Sequence, residues 1–346
     1  MARRLTATAA LACTLLIACS AASASSSALA ADAEDLPSFE VGASSDEYPG
    51  LTLSLEGTDE DGYPGRFRIT VPSGFDLYPE RPAGSLVGLA FLIAGDSSSS
   101  SSGVSLLEGQ IVAQANPPTD PAAHACSPGD HEAVWSLNLS LLGQLLEVPI
   151  YISKENGGLT LDLCVPPVTS GGPLLPVEAL HLILPELRAP RTKGVYTWRA
   201  VVTPTAPDRH TLLPNNAYEL RALVPIPNHV ALHSRYDPKT HTAILHGAVQ
   251  SAGKPRAGAT VIFTSLIRKV TPRGVEYHDA YAGWARTDAA GGFLFRKRIT
   301  RTTGFIASVP SFPTACTDAS TAPAGCRSTT TAATRSEPVT VSVPRH

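Results

Sequence analysis

The sequence predicts an all-β protein in which two β-sandwich domains follow an N-terminal signal segment. Apolar and polar residues alternate with a period of two along most of the chain, and no comparable helical periodicity appears. The 346 residues also include 30 prolines and 27 glycines, spread along the chain. Because these residues favour turns and interrupt helices, they predict short strands joined by tight turns.

The N-terminus has the pattern of an export signal. Two arginines precede an apolar stretch, residues 5–18, which suits a signal sequence and is too short to span a bilayer comfortably. Small residues follow, with A-x-A patterns at Ala22–Ala24 and Ala28–Ala30, and cleavage after Ala30 would make residues 1–30 the signal peptide. Residues 31–36 then form a flexible acidic start. We therefore predict an extracytoplasmic protein, either secreted or associated with the cell envelope.

A second interpretation of the same segment involves Cys19. Leu16–Ala18 followed by Cys19 resembles the lipobox of bacterial lipoproteins, in which the signal ends before the cysteine and the cysteine is lipidated. Both modes of processing remain open at this point. In the second, a lipid on Cys19 is the protein's contact with the membrane.

Four cysteines lie beyond the export segment. An even number of cysteines in an exported chain favours disulfides, and proximity favours the pairs Cys126–Cys164 and Cys316–Cys326. A metal site is disfavoured because neither pair has C-x-x-C spacing. We therefore expect no free thiol in the oxidised mature protein, the chemistry of Cys19 apart.

The N-terminal domain is predicted to span residues 37–224. Its clearest unit is a three-stranded meander over residues 132–164, where Asn156-Gly157 gives a strong hairpin signal between the second and third strands. The predicted strands of this domain centre on residues 51–55, 67–71, 135–141, 146–152, 159–163, 195–202 and 218–224.

A change of composition marks a domain boundary at residues 225–229. This stretch is proline-rich and is predicted to be a linker, because proline stiffens the backbone and cannot donate to a ladder. The charge also changes sign there: residues 31–228 hold 24 Asp and Glu against 10 Lys and Arg, whereas residues 229–346 hold 6 against 15. The second domain is therefore predicted to span residues 230–346.

The second domain carries regularly spaced turns and strands. Strands are predicted at residues 240–250, 258–263, 277–286, 293–295 and 339–343. The residues that form a family-like pattern are Gly247–Val249, Gly253–Pro255, Ala257–Val261, Thr287–Ala289, Gly291 and Phe293. This pattern resembles the carboxypeptidase regulatory-like domains, which are transthyretin-like, Ig-like β-sandwiches found in many secreted bacterial proteins.

That resemblance covers residues 240–310 and implies a sandwich with a spacing, adhesive or accessory binding role. Residues 310–336 depart from the pattern and are expected to form a long insertion, pinned by the disulfide Cys316–Cys326. The whole chain is similar in style to secreted proteins of high-GC actinobacteria.

The basic run Arg296, Lys297 and Arg298, with Arg301, is the main interaction candidate. One interpretation is an edge strand protected by charge. The other is a patch for an anionic polymer of the envelope, for a protein partner, or for the acidic N-terminal half of the same chain. Nucleic acid is not predicted, because the protein is exported and the sequence shows no aromatic stacking platform.

Motifs for catalysis are not convincing. The sequence lacks G-x-S-x-G, H-E-x-x-H and Walker-type patterns, and S-x-x-K at Ser251–Lys254 falls in a predicted turn. Asp59–Gly62 suits an acidic hairpin tip, and His241 and His246 have opposite strand parity. We therefore predict no catalytic residue, cofactor or metal site, and a noncatalytic binding or structural protein. The alternative is an extracellular glycan-active hydrolase built from scattered carboxylates.

Overall fold

The computed structural model is built almost entirely of strands, which confirms the predicted all-β class. It describes residues 36–42, 50–54, 63–94, 105–115, 127, 129–141, 144–155, 157–164, 177–206, 211–271, 274–316 and 324–344. The predicted signal segment, Cys19, Cys126 and the acidic hairpin at Asp59–Gly62 lie outside these residues. No helix in the described part of the chain is long and apolar enough to cross a membrane.

The strands are numbered in chain order, and a 3-10 turn at Pro214–Asn216 precedes the eleventh. They are β1 (Ser38–Gly42), β2 (Gly50–Ser54), β3 (Tyr63–Val71), β4 (Leu86–Ala94), β5 (Ser105–Ala113), β6 (Ala133–Leu141), β7 (Gln144–Glu155), β8 (Gly158–Cys164), β9 (Val177–Ile183), β10 (Gly194–Thr205), β11 (Tyr218–Ile226), β12 (Asn228–Asp237), β13 (Thr242–Ser251), β14 (Lys254–Pro255), β15 (Thr260–Thr271), β16 (Gly274–Arg286), β17 (Gly292–Arg298), β18 (Thr303–Val309), β19 (Pro313–Ala315), β20 (Gly325–Thr331), β21 (Thr334–Arg335) and β22 (Val339–Val341).

The N-terminal part is one continuous sheet of 13 strands, in the order β1-β2-β9-β4-β5-β6-β7-β8-β3-β10-β11-β20-β19. Its neighbours are antiparallel except for the parallel pair β11 and β20. The sheet curls so that β1 contacts β11 and β20, and the Ser328 hydroxyl donates to the Pro37 carbonyl. We expected a sandwich over residues 37–224; in the structure a single curled sheet encloses this core.

Strand β3 shows why these residues form such a sheet. Phe67, Ile69 and Val71 are almost fully buried, whereas the side chains of Arg66 and Arg68 remain 21% and 38% exposed. Successive side chains of a strand point to opposite faces, so the period of two selects one face for the core. Burying each of the apolar side chains contributes about 1.5 to 3 kcal/mol relative to leaving it exposed.

The predicted meander is confirmed. Strands β6, β7 and β8 pair antiparallel in sequence order. Trp135 lies opposite Ile150, which in turn lies opposite Leu163, and all three are buried. Gly157 takes a φ of 79° in the turn before β8, a conformation that favours glycine. Local turn chemistry and alternation are enough to specify this unit.

The predicted linker at residues 225–229 is shorter than expected. Pro225 lies within β11, opposite Val195 of β10, and β12 begins at Asn228. Proline is tolerated in β11 because it lies beyond the stretch that pairs with β20, which ends at Leu223. The two strands are therefore joined almost directly, through a cis Ile226–Pro227 peptide bond.

The predicted insertion at residues 310–336 is also organised differently. Strands β19 and β20 leave the C-terminal sandwich and extend the 13-stranded sheet next to β11. Ala332 joins the N-terminal core, and β21 then returns to pair with β18. The segment that we assigned wholly to the second domain thus contributes to two sheets.

The rest of the C-terminal part is a sandwich of two sheets. Strands β12, β13, β14 and β17 form one sheet, and β15, β16, β18, β21 and β22 form the other. Phe263 lies at the centre of the core between them, with its ring stacked on Phe295 at 4.5 Å and edge-on to Phe293 at 5.6 Å. The strands predicted at residues 240–250, 258–263, 277–286 and 293–295 are found here as β13, β15, β16 and β17.

A disulfide joins Cys316 and Cys326, as predicted, with Cα atoms 5.8 Å apart. Cys316 follows β19 and Cys326 lies in β20, so the disulfide links the last two strands at one edge of the large sheet. Cys164 is disulfide-bonded as well. The pairing of Cys164 with Cys126 stays a prediction, because Cys126 lies outside the described residues.

His181 gives the large sheet a pH dependence. Its half-buried ring lies opposite Phe91, with centroids 6.2 Å apart, and burial lowers its pKa below the ordinary histidine value of 6.5. The unfolded chain therefore binds more protons than the folded protein between the lowered pKa and 6.5. The corresponding stability is complete above pH 6.5 and is lost as the pH falls through the lowered pKa.

We expect His181→Gln to reduce this dependence of the unfolding free energy on pH, measured by denaturant titrations at several pH values. The exposed control His229→Gln should keep it.

Candidate functional site

The basic run lies at the end of β17, an edge strand that pairs with β13 on one side. Alternation places the exposed side chains of Arg296 and Arg298 on the outer face of the sheet. Lys297 lies between them in the sequence and points to the opposite face of the sheet, where its Nζ donates to the Ala282 carbonyl at 3.0 Å. Arg301 follows the strand and is exposed. The structure therefore brings Arg296 and Arg298 together and separates Lys297 from them.

The strand register adds a third arginine that sequence reasoning missed. Arg235 of β12 lies opposite Ile244 of β13, and Ile244 lies opposite Arg296 of β17. Two strand spacings separate the backbones of the arginines, about 9.5 Å. Arg235 joins the other two arginines only because β12 and β17 both pair with β13. In the sequence, its one indication is that it belongs to the residues of β12 that alternate toward solvent.

A histidine row lies next to this arginine row. His233 and His246 are direct cross-strand neighbours, both exposed, with ring centroids 5.7 Å apart. We call Arg235, Arg296, Arg298, His233 and His246 together the cationic face.

The other clustered histidine, His241, lies elsewhere. It takes a φ of 52° in the turn before β13, and its Nδ1 lies 2.9 Å from the Tyr236 hydroxyl. His241 therefore lies in a turn, whereas His246 lies in β13.

Asp237 is the acidic residue nearest to the cationic face in the register, opposite Thr242. Its carboxylate accepts hydrogen bonds from the Thr240 hydroxyl at 2.9 Å and from the Lys239 backbone N–H at 3.0 Å. These bonds, with a smaller contribution from Arg235, lower the pKa of Asp237. Asp237 thus stabilises its own turn, and within the described chain no ion pair joins a carboxylate to the three arginines of the face.

A separate open groove of 430 Å³ lies on the large sheet, beside the turn between β7 and β8. Its lining residues are Ser73, Phe75, Asp76, Tyr78, Pro79, Glu80, Glu132, Lys154, Gly157, Gly158 and Leu159. Asp76 accepts a hydrogen bond from the Tyr78 backbone N–H at 2.8 Å, and the Arg188 guanidinium lies 4.7 Å from the centroid of the Tyr78 ring. Asp76 therefore stabilises the loop that forms one wall.

The carboxylates that the hydrolase alternative would use in this groove are Asp76, Glu80 and Glu132. Across the described ranges, no group of three or more His, Cys, Asp or Glu is placed to hold a metal ion.

The most buried carboxylate of the large sheet is bound by cations. Asp162 is 5% exposed and accepts hydrogen bonds from Arg66 Nε at 3.0 Å and from the Ser127 hydroxyl at 3.1 Å. Arg68 approaches it to 4.0 Å. A buried carboxylate needs such partners to remain charged, so this network stabilises β3 against β8.

The comparisons with known proteins add no relative. No family model matches the chain, and no curated protein matches it. The resemblance of residues 240–310 to carboxypeptidase regulatory-like domains therefore stays a prediction.

Proposed function

We propose that the protein is an exported, noncatalytic binding protein of the cell exterior, and that its C-terminal sandwich binds an anionic polymer of the envelope through the cationic face. The observation that carries this proposal is the side-by-side placement of Arg235, Arg296 and Arg298 on one exposed sheet face without a described carboxylate partner. Guanidinium groups that form no ion pair with a described carboxylate can pair with phosphate or carboxylate groups of a ligand.

The distribution of charge over the chain supports the same function. Residues 229–346 carry 15 Lys and Arg against 6 Asp and Glu, whereas residues 31–228 carry a large acidic excess. A polyanion is therefore attracted to one end of the chain and repelled by the other, which orients its approach. Export through the N-terminal segment and the regulatory-like nature of the sandwich belong to this proposal and fit an accessory binding role.

The face is also suited to extended ligands. Arg235 and Arg296 are aligned across three strands, and Arg298 continues the row of cations along β17. A flat row of charges matches a repeating polymer better than a compact ligand, because each repeat adds one weak, salt-sensitive contact.

The test is binding of the mature protein to immobilised long-chain polyphosphate over a range of salt concentrations. We expect the double variant Arg296→Glu/Arg298→Glu to bind about tenfold more weakly or worse at low salt and to show a shallower salt dependence, because charge reversal removes electrostatic attraction. The matched control is Arg191→Glu/Arg199→Glu, which changes the net charge equally at exposed positions of the N-terminal part. Equal losses in both double variants, or no loss in either, would contradict the proposal.

A further inference from the structure

The second sheet of the sandwich exposes two aromatic rings on its edge strand. Tyr281 is 58% and Trp284 is 61% exposed, and both belong to β16, which pairs with β15 alone among the described strands. Tyr281 lies opposite Thr264 and Trp284 lies opposite Ile262. Thr264 and Ile262 are two positions apart along β15, so the rings are separated by about 7 Å along the strand.

A β-bulge places the two rings on the same face. Tyr281 and Trp284 are three residues apart and would point to opposite faces of a regular strand. The register shifts between Phe263 and Thr264, so that β16 has one extra residue, Ala282, which is buried. Such bulges re-aim side chains, and here both rings point out of the core.

Packing in the core fixes this bulge. Gly283 has a φ of 147°, and a Cβ at this position would lie 2.6 Å from the Phe295 ring. The Phe295 ring in turn stacks on Phe263. The exposed rings are therefore held by the interior of the sandwich, and their shared orientation is part of the fold.

Charged groups lie at both ends of the ring pair. Arg286 shares the parity of Trp284 and is exposed, and its Nε donates to the Gly258 carbonyl at 3.1 Å. At the other end Asp279 shares the parity of Tyr281 and lies 4.0 Å from Arg335 of β21. We call Tyr281, Trp284 and Arg286 the aromatic strip.

We infer that the aromatic strip is a binding site for an acidic polysaccharide, in which sugar rings stack on Tyr281 and Trp284 while an anionic substituent pairs with Arg286. The apolar C–H face of a sugar ring matches an exposed aromatic face, and an exposed guanidinium matches a carboxylate. The inference rests on the proposed function for the anionic nature of the polymer and adds the sugar rings as its second element of recognition.

The composition of the strip favours this ligand over a single-stranded nucleic acid. A single-stranded nucleic acid needs a groove of cations along its backbone, whereas the strip has Asp279 at its far end. The cationic face lies on the other sheet of the same sandwich. Lys297 of that sheet donates to the carbonyl of Ala282, which lies between Tyr281 and Trp284 in β16.

Tryptophan fluorescence gives a direct measurement. Of the three tryptophans in the chain, Trp135 and Trp198 are at most 1% exposed, so Trp284 is the residue that a ligand can reach. We expect polygalacturonate to shift the emission of the mature protein and to protect it from acrylamide quenching. Trp284→Phe should retain binding, measured by affinity electrophoresis, but lose the fluorescence response. Trp284→Ala and Tyr281→Ala should each weaken binding about tenfold, in line with the loss of a stacked ring.

The probes separate stacking from charge. We expect stacking to persist at about 0.5 M NaCl, where the Debye length falls to a few ångströms. Arg286→Gln should reduce the preference for polygalacturonate over its fully methyl-esterified form, while the cationic face keeps the remainder. Unchanged affinity of Trp284→Ala for polygalacturonate, or tighter binding of an oligothymidylate than of polygalacturonate, would overturn the inference.

Polyphosphate distinguishes failure of this inference from failure of the proposed function. Polyphosphate has charge but no rings, so its binding should depend on Arg296 and Arg298 and be unaffected by Trp284→Ala. If Trp284→Ala weakens polygalacturonate binding while Arg296→Glu/Arg298→Glu leaves polyphosphate binding unchanged, the aromatic strip stands and the cationic face fails.

Discussion

Replacement of Trp198 by alanine is expected to lower the free energy of unfolding by about 3 to 5 kcal/mol. Trp198 is fully buried in the core of the large sheet, and its ring meets Phe75 edge-to-face at 4.9 Å. Truncation removes the burial of a large ring and leaves a cavity that a curled sheet of paired strands can only partly close. Urea denaturation followed by far-UV circular dichroism measures the change.

Trp198→Phe is the matched control. The indole N–H of Trp198 is buried and has no hydrogen-bond partner in the described chain, so phenylalanine keeps most of the apolar contact and removes an unsatisfied donor. We expect a clearly smaller loss than for alanine, about 1 kcal/mol. Equal losses for the two variants would show that the polar group, and not ring burial, determines the contribution of this position.

Replacement of Phe263 by alanine is expected to cost the C-terminal sandwich a similar amount, about 3 to 5 kcal/mol. Phe263 is fully buried and contacts the rings of both Phe293 and Phe295. Its loss removes the stacked partner of Phe295, the residue that packs against Gly283 in the bulge. Phe263→Leu keeps most of the buried volume and should lose less, about 1 to 2 kcal/mol.

The same variant tests whether the core supports the exposed rings. If Phe295 loses its stacking partner, the bulge that orients Tyr281 and Trp284 is less well fixed. We therefore expect Phe263→Ala to increase acrylamide quenching of Trp284 relative to Phe263→Leu under conditions where both proteins are folded. Identical quenching would mean that hydrogen bonding along β15 and β16 is enough to hold the bulge.

Local parts of the fold could be predicted from the sequence. The meander of β6, β7 and β8 follows from alternation on Trp135, Ile150 and Leu163 and from a turn at Asn156-Gly157, all within about 30 residues. The sandwich strands β13, β15, β16 and β17 were predicted from the same signals. In each case neighbouring segments pair with each other, so pattern and turn chemistry carry the information.

The long-range pairings could not be predicted in this way. Strand β20 consists largely of Ser and Thr, and nothing in its pattern indicates a partner about 100 residues earlier. Pro225 suggested a linker because proline interrupts ladders, yet among the described residues no strand pairs with β11 beyond Leu223 on the β20 side, which makes proline acceptable there. Edge positions depend on the tertiary arrangement, which one sequence does not reveal.

The residues of the cationic face and of the aromatic strip could likewise be predicted from the sequence only in part. Arg296 and Arg298 were predicted from a contiguous basic run, whereas Arg235 joins them only through cross-strand register. Parity alone would also have assigned Tyr281 and Trp284 to opposite faces, because a bulge cannot be deduced from alternation. Sites assembled across strands therefore require the pairing of the sheets to be known first.

The parallel pairing of β11 with β20 has a consequence for how the chain is made. During synthesis the N-terminal residues emerge first, but the backbone groups of β11 that face β20 stay unsatisfied until Gly325–Thr331 has emerged. A premature stop codon before β20 would thus leave β11 of the large sheet without its parallel partner, and the core of that sheet without Ala332. Late truncations should therefore behave as defects of the N-terminal sheet, and the open strand offers a template for aggregation.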